Sequence, residues 1–199
     1  SEFPALQGTM GHHYARQDGE PREVSVALEE HYLPRHAGDK LPTSRPGKIL
    51  ALADRVDTLT GIFSTGEEPT GERDPYGLRR AALGMIRILV EKKLTLDLTY
   101  LVDLSVSGYI ADGHTIGDNV RDQVIQFITE RYRAYYTAAG FANDEINAVL
   151  EVGATQPVDF DRRLRAVSRF RRNRAARSLT EANKRIRNIL RKTDQRGPL

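Results

Sequence analysis

Five histidines stand in the chain, His12, His13, His31, His36 and His114, and two aspartates, Asp54 and Asp57, lie one helical turn apart. Imidazoles and carboxylates converging from helices can hold a divalent cation that polarises water for attack on a phosphate ester. The helical version of that centre needs an adjacent His-Asp pair plus a further His and Asp, and no His-Asp dipeptide occurs here. His31 and Asp54 are the positions nearest to the pattern, and a partial ligand set cannot fix a coordination geometry. The competing reading gives both residues local hydrogen bonds near helix ends. Other chemistries lack their residues altogether. There is no cysteine, which removes disulfides, thiolate zinc sites and cysteine nucleophiles and fits a cytosolic protein. The glycine-rich stretch 61–71 is not followed by Gly-Lys-Ser/Thr, so it is no phosphate-cradling P-loop, and no serine sits in a nucleophile elbow.

Charge is the stronger signal. Residues 161–196 carry 14 Lys and Arg against 3 acids, whereas the rest of the chain carries 16 against 24. The molecule is polarised, with a basic end that attracts polyanions in a salt-dependent, sequence-independent manner. The alternative is a solvated helix face whose arginines pair with acidic neighbours. Tyr132, Tyr135 and Tyr136 could stack on bases, or, lying on a periodic apolar stripe, could belong to the core.

The elements that must position these groups read as helices. Ile116, Val120, Val124, Ile128, Tyr132 and Tyr135 recur every three or four residues, the stripe of an amphipathic helix. Thr115 with Asp118 suits its start and Gly140 its stop. Asn143 and Asp159 are placed to cap two further helices, the second with Leu164, Val167 and Phe170 inward, and Ser178 with Glu181 has capping-box spacing before another. Earlier, Pro21 opens a helix to about His31. Ile49, Leu50, Ala53, Val56, Leu59 and Phe63 make one apolar face from about Gly47, and Asp74-Pro75 enters a helix with Met85, Ile86 and Leu89 inward. Leu94, Leu96, Leu98 and Tyr100 alternate like a strand, but with no second strand to pair with, helix is preferred. The expectation is an all-α protein of about nine helices, divided near Ala111–His114 into two units.

No apolar run approaches the roughly 18 residues of a membrane span. The chain has no initiating Met and stops soon after a helical pattern, which suggests a piece of a longer protein.

Several stretches then resemble one family. They are His31-Tyr32-Leu33-Pro34-Arg35-His36-Ala37-Gly38-Asp39, Ala51-Leu52-Ala53-Asp54-Arg55-Val56-Asp57, Gly61-Ile62-Phe63, Asp74-Pro75-Tyr76-Gly77-Leu78-Arg79-Arg80 and Ala182-Asn183-Lys184-Arg185-Ile186-Arg187. In order and spacing they resemble the β subunit of the bacterial α/β-type glycyl-tRNA synthetase. The resemblance implies that residues 1–111 are a degenerate HD-like helical domain lacking its amino-terminal part. Residues 112–199 would be a helical region leading into a truncated anticodon-binding domain. It also implies a non-catalytic, tRNA-binding and scaffolding role in a cytoplasmic enzyme whose α subunit activates glycine with ATP and magnesium before transfer to tRNA-Gly. No cofactor is expected in this piece. The rival reading is a metal-dependent HD-type phosphohydrolase using His31 and Asp54.

Under the resemblance, Arg162, Arg163, Arg165, Arg169, Arg171, Arg172, Arg174, Arg177, Lys184, Arg185 and Arg187 become candidate phosphate contacts. Such contacts position an RNA backbone rather than read bases, and on one helix face only about half can do so. Arg79 and Arg80 are secondary candidates that could instead pair with Asp74.

Overall fold

A computed structural model describes residues 6–173 together with 179, 182, 183, 185, 186 and 189. The described chain is all-α, as the periodicity predicts. Its eight helices are α1 (Thr9–Gln17), α2 (Arg22–Glu30), α3 (Arg45–Ser64), α4 (Leu78–Glu91), α5 (Leu98–Ala111), α6 (Val120–Ala138), α7 (Asn143–Leu150) and α8 (Pro157–Arg172). The Ser178 capping box, and Arg174, Arg177, Lys184 and Arg187, lie outside the described residues.

Helix α4 is the axis of the packing. Leu78, Ala82, Met85, Ile86, Ile88 and Leu89 have no solvent exposure, because neighbours cover the helix on several sides: α3, α6 and α8 all pack against it. Helix α5 lies on α3 and α6, α7 bridges α6 and α8, and the α1–α2 hairpin reaches the body through α3. Leu59 and Phe63 of α3, Val102 of α5, Ile128 and Tyr132 of α6, and Phe160 and Leu164 of α8 belong to one continuous apolar cluster. That cluster includes residues on both sides of the α5–α6 connection at 112–119.

Local chemistry explains where the helices begin, and several starts differ from expectation. Ser44 caps α3, accepting from the Gly47 N–H at 3.0 Å with Pro46 in the first turn. Asp74 does serve the entry of α4, but from beyond its first residue. Gly77 takes the cap position with φ of 67°, and the Asp74 carboxylate accepts from the Leu78 and Arg79 N–H groups at 2.8 and 3.0 Å. The Leu94–Tyr100 ambiguity resolves at Asp97, which caps α5 through the Thr99 N–H, leaving Leu94 and Leu96 in a non-helical connection.

Helix α6 starts at Val120, not at Thr115, because Gly117 and Asn119 favour a turn closed by Val120 N–H on the Gly117 carbonyl at 3.1 Å. Ala142, not Asn143, precedes α7, and its N–H is held by the Glu145 carboxylate. Pro157 opens α8, so Asp159 falls inside the first turn, where a carboxylate complements the helix dipole.

The inward assignments of Phe170, Ile49, Leu50 and Ala53 are corrected, Ala53 being exposed on α3. Phe170 is 49% exposed, since six residues from Leu164 turn it outward and Ser168 takes the inner position. Ile49 and Leu50 are 60% and 37% exposed and border an open groove between α3 and α5. Tyr132 and Tyr136 are core residues, with the Tyr132 ring stacked on Phe160 at 4.2 Å and Tyr136 at 5.3 Å from the same ring. Base stacking is closed to both. Burial pushes both phenols well above the usual tyrosine range.

Candidate functional site

Helix α8 sorts its arginines by what each touches. Leu164, Phe160 and Ser168 face the core, which forces the intervening basic residues outward. Arg163 pairs with Asp159 at 2.6 Å, Arg165 with Asp161 at 2.8 Å, and Arg171 reaches across to Asp144 and Glu145 of α7 at 2.7 and 3.7 Å. Local acids therefore offset these three. Arg162 comes no nearer than 4.0 Å to Asp159 with 69% of its side chain exposed, and the one hydrogen bond of Arg172 among the described residues is to the Ser168 hydroxyl at 3.4 Å. Arg169 makes no hydrogen bond or ion pair among the described residues. Arg162, Arg169 and Arg172 thus leave positive charge on the outer face, beside exposed Phe170. Arg185 is also exposed.

At the start of α4, Arg79 is committed locally: its guanidinium donates to the Gly71 carbonyl at 2.5 Å. Arg80 differs. It is exposed and makes no hydrogen bond or ion pair among the described residues. Its guanidinium passes so close to Gly77 that a Cβ there would meet Nη2 at 2.6 Å.

The residues nearest to a metal pattern do not assemble one. The His31 ring lies at the end of α2 with Nδ1 on its own helix, 2.9 Å from the Leu28 carbonyl, and rests against Tyr32. Asp54 is exposed on α3. Between the two elements stands a cation, the guanidinium of Arg55, which is only 7% exposed. It donates to the carbonyls of His31 and Ala51 at 2.8 Å each and of Tyr32 and Pro34 at 3.1 Å each. Burial pushes Arg55 below the usual arginine range, against a smaller opposing effect of Asp54. A divalent ion would meet this fixed positive charge rather than a third ligand. Among the described residues no three His, Asp or Glu side chains are grouped to hold a metal. The residues present do not fit an HD-type metal centre, and the phosphohydrolase reading finds no support.

Arg55 escaped the sequence reading although it left a trace. It sits between Leu52, Val56 and Leu59 on the buried stripe of α3, and a charged residue on an apolar face demands buried partners. Above it opens a cleft of 670 Å³ whose walls include Tyr32, Arg35, His36, Asp54 and Arg80.

Fold and surface together thus present an all-helical body with a basic outer helix and a second cationic cleft. Residues 1–151 match the family model described as glycyl-tRNA synthetase beta subunit, and the chain belongs to that family. It is 53% identical over 193 residues to the glycine–tRNA ligase beta subunit of Edwardsiella ictaluri, covering 96% of this chain and 28% of that protein. The corresponding protein of Pasteurella multocida is 53% identical over 197 residues, 99% of this chain and 28% of that one. That of Escherichia coli strain SE11 is 52% identical over 194 residues, 98% and 28% of the two chains. The chain spans a little over a quarter of the length of these relatives. Among the described residues no helix is long and apolar enough to cross a membrane.

Proposed function

We propose that this chain is a non-catalytic, tRNA-binding and scaffolding portion of a glycyl-tRNA synthetase β subunit. The whole enzyme, with its α subunit, attaches glycine to tRNA-Gly in the cytoplasm using ATP and magnesium. In this reading residues 1–111 are the HD-like unit and residues 112–199 lead into the anticodon-binding domain. The observation that carries the RNA half of the reading is the outer face of α8, where Arg162, Arg169 and Arg172 lack close carboxylate partners and flank exposed Phe170. Basic groups left without local acids supply salt-dependent phosphate contacts, and an exposed aromatic among them can stack on an unpaired base. The scaffolding half draws on the open groove between α3 and α5, where Ile49, Leu50 and Leu104 are exposed. Apolar surface of that kind packs against neighbouring parts of an assembly.

The test is tRNA-Gly binding by fluorescence anisotropy across about 50 to 200 mM salt, the range over which phosphate contacts are lost. Replacing Arg162, Arg169 and Arg172 together with Gln should reduce the slope of log K against log salt by about 2 to 3, near one per phosphate contact removed. Replacing Arg163 and Arg165, already paired with Asp159 and Asp161, should change it much less. Equal slopes for the parent and the triple variant would refute the assignment of α8.

A further inference from the structure

The cleft above Arg55 has the residues of an anion site rather than a cation site. Its floor is a buried guanidinium held by four carbonyl oxygens and hydrogen-bonded to no carboxylate among the described residues. Arg80 enters from the start of α4 with no hydrogen bond or ion pair among the described residues, lying in the space that Gly77 leaves open. Arg35 also lines the cleft, with its Nε directed to the Asp39 carboxylate at 3.4 Å. His36 also lines the cleft, with Nδ1 on the Ala37 carbonyl at 3.0 Å.

Neutral groups complete the lining. Tyr32 supplies a phenol, and Tyr76 has its hydroxyl directed to the Glu67 carboxylate. Asp54, at the exposed edge, is the one carboxylate in the lining itself, while Asp39 and Glu67 stand behind it against Arg35 and Tyr76. Three arginines against one carboxylate in the cleft wall leave an excess of positive charge, with unused donors on Arg80 and Arg35. Guanidinium groups approaching from separate elements suit a ligand with several acceptor oxygens, which a phosphoryl group presents. The tyrosine walls suit the base or sugar that carries it.

We propose that this cleft binds the phosphate of a nucleotide, either free or at the end of an RNA strand, with Arg80 and Arg35 as the contacting cations and Arg55 as the fixed charge beneath. The site is separate from the α8 face, and its test uses no tRNA-Gly, so failure of either proposal leaves the other standing.

The experiment titrates the full chain with AMP, inorganic phosphate and adenosine, followed by amide chemical shifts and calorimetry. AMP and phosphate should bind saturably with shifts at Tyr32, His36, Gly77 and Arg80, and adenosine should not bind. Arg80→Gln and Arg35→Gln should each weaken AMP by about tenfold, the scale of one charge-assisted contact. Arg121→Gln, an equal charge change at a distant ion pair with Asp103, should leave binding as in the parent. Asp54→Asn should tighten AMP by about two- to fivefold by removing the opposing charge, a gain that misfolding cannot mimic.

A short RNA with a 5′-phosphate, compared with the same RNA lacking it, separates the two sources. Tighter binding of the phosphorylated RNA than of AMP assigns the site to RNA ends, and the reverse order assigns it to free nucleotides. Absence of saturable binding by AMP and phosphate overturns the proposal. So does equal binding of AMP and adenosine, or loss of binding in Asp54→Asn with folding intact.

Discussion

Replacing Arg55 tests whether the buried guanidinium organises the turn between α2 and α3. The side chain is 7% exposed and makes four hydrogen bonds of 2.8 to 3.1 Å. The Ala51 carbonyl also serves the α3 ladder, so it keeps a partner when the guanidinium is removed. The carbonyls of His31, Tyr32 and Pro34 accept from no other donor among the described residues and would lose theirs. Each stranded buried acceptor costs about 1 to 3 kcal/mol. Against this, removing a charge whose burial is itself unfavourable returns part of the energy, and the adjoining cleft admits water to some of the freed oxygens. The balance for Arg55→Met is a loss of about 3 kcal/mol, at the lower edge of what breaking a buried charged network costs. For a chain of this size that lowers Tm by about 6 to 12 °C. Arg55→Lys keeps the charge but not the planar fork, and should lie between the two. Urea denaturation followed by circular dichroism measures the loss, and hydrogen exchange in the 28–36 peptide should report the loosened turn. A Met variant within about 1 kcal/mol of the parent, with unchanged exchange there, would refute the structural role, since the expected loss is threefold larger.

Two carboxylates give further predictions. Glu30 joins the end of α2 to the start of α3, accepting from Thr43 and Ser44 through both their backbone N–H and hydroxyl groups. Burial raises its pKa, but those four bonds outweigh it and hold the group below its ordinary value of 4.5. With the folded pKa depressed, this stabilisation is present above the unfolded value and is lost as pH falls through the folded one. Glu30→Gln should cost about 1 kcal/mol near neutral pH, in keeping with hydrogen bonds to a partly exposed carboxylate. The difference in urea midpoints from the parent should shrink as pH falls below the ordinary value of 4.5, and a constant difference down to about pH 3 would contradict the linkage. Asp97 caps α5 at Thr99 and also accepts from the Thr155 hydroxyl at 2.5 Å, fastening α5 to the approach of α8. Asp97→Ala should cost about 1 to 2 kcal/mol, the value of a cap and one tertiary bond, while Asp97→Asn should retain more than half. Equal losses in the two variants, measured by urea unfolding, would show that the cap geometry is not what matters.

Helical class was legible in the sequence because the apolar spacing of α4 and α6 is long and regular, and a periodic stripe reports its buried face directly. The starts of helices were less legible. Thr115 and Asn143 have the right side chains for caps, but turn closure by Gly117 and the carboxylate of Glu145 decide the outcome through backbone geometry. Phe170 shows the same limit: an aromatic near the end of a stripe was read as inward, whereas its angular position on α8 turns it to solvent.

The candidate site was legible as charge and illegible as pairing. Counting arginines finds a basic segment, but only three-dimensional placement separates Arg165, held by Asp161, from Arg169, which is held by nothing described. The metal question turned on the same distinction. His31 and Asp54 drew attention because of their residue types, while the residue that governs the region is Arg55, next to Asp54 and hidden inside an apolar stripe. Its four carbonyl partners come from residues 31, 32, 34 and 51, and three of them lie more than twenty positions away in sequence. No local pattern encodes that convergence. A positive charge fixed there favours an anion over a metal ion in the cleft above it, so the electrostatics of the first half come to resemble those of α8. Both regions thus carry cationic surface, although the first 160 residues carry an excess of acids overall.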